Sequence, residues 1–282
     1  MRWLALFCSI ILCLGLCSCG RNAAAAAPEE GAELGFVKEG KPLQSFKKGD
    51  LEAAIRPEIF TVFDPEYRKK KTYRALPLAA VLAKGFPGVD LEKEELVLRA
   101  TDGYTVSIEG ARLLERGAYL AVADLEEPGW EPVGPQRKNP GPYYIVWRGP
   151  GQDDLQRYPW PYQLAAIEIA KFDSLYPHVA PPPDVADDSS AMKGFQVFRE
   201  QCLRCHAINR EGGRVGPDLN VPQSIVEYRP EAQIKAYIVN PLAFRYGNMP
   251  PHGHLGAQEL DGLIAYFNVM KEHKHEPPVV AP

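Results

Sequence analysis

Two cysteines three residues apart and the histidine that follows them, Cys202, Cys205 and His206, are the side chains whose types and spacing carry the clearest chemistry in this chain. On one helical turn each thiol can add to a vinyl group of a porphyrin, and the adjoining imidazole then sits beneath the iron. Other chemistries compete for the same spacing. A thioredoxin-like pair belongs at the start of a helix in a βαβ unit, and no strong strand pattern precedes Phe195. A zinc site would recruit Cys202, Cys205 and two of His206, His252 and His254, at separations that depart from the usual ligand spacing. A disulfide across so short a loop is strained. The spacing therefore predicts one covalent haem c.

An electron-carrying haem needs a second strong axial ligand, and Met249 offers a thioether on a loop stiffened by Pro250 and Pro251. Met192 and Met270 fall in helical patterns, where core packing is the expectation. His252 and His254 are alternative ligands on the same loop, and a displaced Met249 would leave a haem that binds small ligands. Between the two ligand segments the turn Gly216, Pro217, Asp218 could aim a carbonyl at the second nitrogen of His206, fixing the ring and raising its basicity.

With these motifs in place, residues 191–276 resemble a class I c-type cytochrome. The resemblance implies a small all-α domain that packs its first helix against its last. Gly194 and Phe198 fall four apart on the first, and Leu263 and Tyr266 three apart on the last. It also implies one-electron transfer through a haem held by Cys202 and Cys205, with His206 and Met249 on the metal.

Length and charge set the frame around that domain. The 282 residues suffice for two modest domains, and a net charge of -4 argues against a nucleic-acid partner. Four of the six cysteines lie in the first twenty residues, so none is left for a disulfide. An apolar run over residues 3–16 is too short to span a bilayer and reads as a signal segment. The sequence Leu16, Cys17, Ser18, Cys19 resembles a bacterial lipobox, which implies a signal peptide over 1–18 and lipidation of Cys19. Plain secretory cleavage near the alanine run 23–27 and a retained anchor are the alternatives. Residues 19–33 read as a spacer, and the expected location is the periplasmic side of a bacterial membrane, among other redox proteins.

Residues 34–176 alternate short apolar runs with turn signals, which predicts an α+β domain. Strands are expected at 59–63, 96–100, 104–108, 119–122 and 143–147, a helix at 76–84, and a hairpin turn at Thr101, Asp102, Gly103. The stretches 98–108 and 141–169 are similar to the molybdopterin-binding domain of the sulfite oxidase family. That family holds molybdenum through a cysteine thiolate, and none lies between Cys19 and Cys202, so the resemblance implies a fold and no catalytic residue. The run Arg68, Lys69, Lys70, Lys71 reads as a solvated loop, with docking of an acidic partner the sharper alternative. Core packing is expected for the aromatic cluster of Tyr143, Tyr144, Trp147, Tyr158, Trp160 and Tyr162. The Pro- and Asp-rich segment 177–190 reads as a semi-rigid linker that holds the haem domain at a distance, with Ser189 or Ser190 capping the next helix. Residues 271–282 read as a frayed tail, the last six beyond the domain. Two functions follow: an electron carrier, or a redox enzyme whose first domain oxidises a small molecule and feeds the haem.

Overall fold

A computed structural model describes residues 31–276, so the expected signal peptide, Cys19, most of the spacer and the tail 277–282 lie outside the described residues. The first half is α+β, built on two sheets that share one core. In the first sheet β1 (Glu33–Lys38) and β2 (Lys41–Lys47) form a hairpin. Its two turn residues, Glu39 and Gly40, both have positive φ, the twist that two-residue hairpins require. β1 also runs parallel to β9 (Leu164–Ile169), which pairs antiparallel with β5 (Glu95–Ala100), and β5 continues through the expected hairpin to β6 (Thr105–Glu109). The second sheet is antiparallel, in the order β3 (Glu58–Asp64), β4 (Lys69–Pro77), β7 (Ala118–Asp124), β8 (Tyr144–Trp147). Short helices α1 (Lys48–Ala54), α2 (Leu78–Gly85) and α3 (Gly110–Leu113) lie on the connections. All four residues of β8 are buried, so Tyr144 and Trp147 are core residues as expected.

Three expectations need correction here. Lys69 to Lys71 belong to β4, where the side-chain period of two puts Lys69 and Lys71 on one face; both reach Glu131, Lys69 exposed at the start of the strand and Lys71 buried further in. The fully buried Lys71 ammonium lies 2.7 Å from the equally buried Asp124 and 2.9 Å from Glu131. Burial pulls its pKa down, and the hydrogen bonds from Asp124 and Glu131 outweigh that and hold it above the ordinary lysine value. It is a structural ion pair and not a docking surface.

The second correction concerns residues 177–190, which do not hold the two halves apart. α4 (Phe172–Leu175) and Tyr176 already pack in the second core, Val179 is fully buried, and its carbonyl accepts a 2.6 Å hydrogen bond from the Tyr266 hydroxyl. Apolar burial at Val179 thus overrides the extended bias of the prolines after it.

The second half is helical: α5 (Ser190–Val197), α6 (Ile225–Tyr228), α7 (Glu231–Val239) and α8 (Ala257–Met270). Ser189 caps α5 by accepting from the Met192 amide at 3.1 Å. α5 and α8 cross where Gly194 meets Gly262 backbone to backbone, and a Cβ at Gly194 would overlap the Gly262 carbonyl. Beyond the crossing Phe198 packs on Tyr266 and Phe267, with ring centroids 5.3 and 6.0 Å apart. Gly194→Ala is expected to force the helices apart and cost about 1–3 kcal/mol, the usual range for overpacking. Urea unfolding checks this, and an unchanged midpoint would mean the crossing tolerates a methyl group. Residues 271–276 are docked rather than frayed, with Lys274 paired to Glu227 and the His275 ring stacked on His178 at 3.6 Å.

Candidate haem site

α5 runs directly into a wider helical turn over Phe198–Cys202, which delivers Cys202 to the inner side of the domain. The Cys202 carbonyl then accepts from the amides of Cys205 and His206 at 3.0 and 2.9 Å, so all three residues share one tight turn. Neither thiol is in a disulfide. Burial pushes the Cys202 thiol up to about 12, and burial pushes Cys205 to about 11, with Asp102 and Glu66 raising it further. The chain doubles back through Asn209 and Arg210, both with positive φ, and β10 (Ala207–Ile208) pairs with β11 (Glu211–Gly212). Asn209 and Asn220 tie this turn to the carbonyls of His178, His273 and Met270, at the far end of α8.

His206 is oriented by the turn that follows. Its Nδ1 lies 2.9 Å from the Pro217 carbonyl, the contact expected from the Gly-Pro sequence. A carbonyl only accepts, so Nδ1 carries the proton and Nε2 keeps its lone pair for a metal. Burial lowers the pKa of the ring by more than the Pro217 bond and Asp218 raise it, which favours the neutral, ligating form. Gly216 lies flat against the ring, and a Cβ there would overlap the imidazole. These features fit a haem: two free thiols, an imidazole with its tautomer set, and a glycine cradle.

On the other ligand loop, Met249 is half-buried against the second core, on which Cys202 and Leu219 also pack. His252 is buried on the same loop, and its Nδ1 has no hydrogen-bond partner. Burial drives its pKa to about 4, helped by His254, Arg204 and His206, so the ring lies within the field of the motif. His254 is exposed. The structure thus brings Cys202, Cys205 and His206 onto one turn, places Met249 and His252 on a facing loop, and leaves His254 outside. Among the described residues no three His, Cys, Asp or Glu side chains converge as a metal-ion cluster, so the zinc alternative lacks a third ligand.

Several residues around the site escaped the sequence reading. The Gly103 carbonyl accepts from the Arg214 amide at 2.8 Å, and the Arg204 carbonyl accepts from the Thr105 amide at 3.0 Å, so the β5–β6 hairpin grips the loop around Cys205. Burial raises the Tyr104 hydroxyl to about 12, with Arg204 lowering it and Cys205 raising it. In the sequence Gly103 stood out only as a turn residue; its close approach to Arg214, whose Cβ would lie 2.8 Å from one at Gly103, is visible only in the fold. Among the described residues no helix is long and apolar enough to cross a membrane.

Residues 189–267 match the family model for cytochrome C oxidase, cbb3-type, subunit III, so this part of the chain is a c-type cytochrome domain, and the match implies a haem c cofactor. Among solved structures the chain is similar to the sulfane dehydrogenase SoxCD from Paracoccus pantotrophus, at 19% identity and a TM-score of 0.36, over 51% of this chain and 39% of that one. No curated protein matches it.

Proposed function

We propose that the chain is an electron carrier in which Cys202 and Cys205 hold one haem c covalently and His206 and Met249 are its axial ligands. The single observation that carries this is the 2.9 Å bond from His206 to Pro217 within a turn that also presents two free thiols. When bound, the haem supplies a one-electron Fe(III)/Fe(II) couple. The chain does the rest. Pro217 and Gly216 hold the imidazole in one tautomer and plane, and the Met249 thioether favours the ferrous state and raises the potential. With His206 and Met249 both committed to the metal, a substrate would find no free position there, and function would depend on redox proteins that exchange electrons through the protein. Lipidation of Cys19 would tether the chain outside the cytoplasm, where such partners also reside.

Met249→Ala is expected to abolish the sulfur-to-iron charge-transfer band of the oxidised protein while the haem stays attached. An unchanged spectrum would rule out Met249 as the ligand. A second reading makes the front domain a catalyst that oxidises a small molecule and reduces the haem. The packing of the β5–β6 hairpin on the motif loop favours it. The lack of any cysteine between Cys19 and Cys202 opposes its molybdenum version. Stoichiometric molybdenum in protein matured in its own host would decide for this second reading.

A further inference from the structure

Both loops of the haem site are held by the front domain, from opposite sides. On the His206 side, the hairpin residues Gly103 and Thr105 bond to Arg214 and Arg204. On the Met249 side, the Tyr246 hydroxyl donates to the Pro135 carbonyl at 3.1 Å. The two front-domain segments are themselves joined, since Lys138 lies 2.8 Å from Asp102 at the hairpin turn. These contacts close a ring: hairpin, motif loop, Met249 loop, the 133–138 loop, and back to the hairpin. A mouth bounded in this way opens onto the front domain and not onto free solvent.

Inside the ring lie Glu66, Tyr104 and Tyr162. Tyr104 and Tyr162 are half-buried, and Glu66 is solvent-accessible. Tyr104 sits between Gly103 and Thr105, the two hairpin residues that bond the motif loop, and Tyr162 precedes Gln163, whose carbonyl accepts from the Thr101 amide at the hairpin turn at 3.0 Å. The Glu66 amide donates at 2.8 Å to Asp64, which anchors the same wall. Behind them, Tyr162 stacks edge-on against Tyr144 at 6.2 Å, and the Tyr144 hydroxyl donates to the buried Asp64 at 3.0 Å. That anchorage gives the wall a rigid backing.

We infer that the front domain is a fixed cover on the haem chamber, with Tyr104, Tyr162 and Glu66 as its inner wall and the Asp102–Lys138 pair at its rim. A redox partner therefore exchanges electrons through this wall rather than by touching the haem edge at the mouth. The inference rests on the haem reading above and adds to it the part of the chain that completes the site.

The test uses the full, haem-loaded chain with carbon-13 in its tyrosine rings, and compares the ferrous and ferric forms by nuclear magnetic resonance. The unpaired electron of ferric iron shifts and broadens nearby signals with a steep dependence on distance. The Tyr104 and Tyr162 signals, assigned by their loss in Tyr104→Phe and Tyr162→Phe, are expected to move on oxidation. Tyr119, in the second sheet and hydrogen-bonded to Glu58 at 3.0 Å, serves as the remote reference. Lys138→Met is expected to lower the midpoint potential, because removing a cation at the rim favours the more positive ferric form. A haem-loaded chain whose two tyrosine signals stay in place overturns the cover, as does a potential in Lys138→Met that is unchanged or raised. A chain that carries no covalent haem overturns the underlying reading as well, so the two failures are told apart by the pigment.

Discussion

Lys71→Ala is expected to lower the stability of the front domain by about 3–5 kcal/mol, a fall of roughly 6–20 °C in unfolding temperature. The size follows from what the substitution leaves behind. Lys71 and Asp124 are both fully buried, so the variant would strand a carboxylate with only the amides of Glu126 and Glu131 as donors. Glu131 and Glu126 are partly exposed, and water screens whatever they lose. The raised pKa of the ammonium gives a second signature. Its contribution is fully present below the unfolded lysine value of about 10.4 and is lost as pH climbs through the higher folded value. The gap between wild type and variant should therefore be constant at neutral pH and shrink in strong alkali. Adding Asp124→Asn to Lys71→Met should recover most of the loss, since removing both buried partners together avoids an unpaired charge. Calorimetry on the three chains checks this, and equal unfolding temperatures for wild type and Lys71→Ala would show that the pair is energetically silent.

That lysine also marks where sequence reasoning stopped. The strands at 59–63, 96–100, 104–108, 119–122 and 143–147 were legible because their apolar residues follow strand periods, with ends displaced by one or two residues. β4 was hidden because it opens on three lysines and the first residue it buries, ahead of Tyr73 and Ala75, is Lys71, whose partners Asp124 and Glu131 are remote in the chain. β9 was hidden for a related reason: its buried Glu168 is satisfied by Arg99 on the neighbouring strand at 2.7 Å. β1 carries a glycine and charged ends that blur any alternation. The haem motif and its Pro217 contact were legible because they depend on residues close in sequence, where local spacing fixes geometry. The Gly194–Gly262 crossing was half legible, since Gly194 stood out on its helix while Gly262 gained meaning only from the partner it meets. Contacts between the two halves could not be read at all. Prolines at 181–183 report local stiffness, whereas the destination of Val179 is decided by a core assembled from distant helices.

Replacing Cys202 and Cys205 together by serine is expected to remove every trace of pigment from the denatured chain. The argument separates two ways in which this site can hold haem. The proposed axial bonds from His206 and Met249 would depend on the fold, because the two residues come from different loops that α5, α8 and the front domain keep in place. Boiling in detergent abolishes that arrangement, and haem held by axial bonds alone is released. Thioether bonds do not depend on folding. The wild-type chain should carry its colour through a denaturing gel, and each single serine variant should carry less, held by one remaining bond. The double variant should run colourless even where it binds haem in native buffer. Single variants that match wild type in yield would show that one thiol suffices. Colour that persists in the double variant would place the attachment elsewhere, and no other thiol lies between Cys19 and the C-terminus to receive it. Serine preserves size and hydrogen-bonding character at two largely enclosed positions, so a loss of pigment in a chain that still folds reports the missing sulfur rather than a collapsed turn.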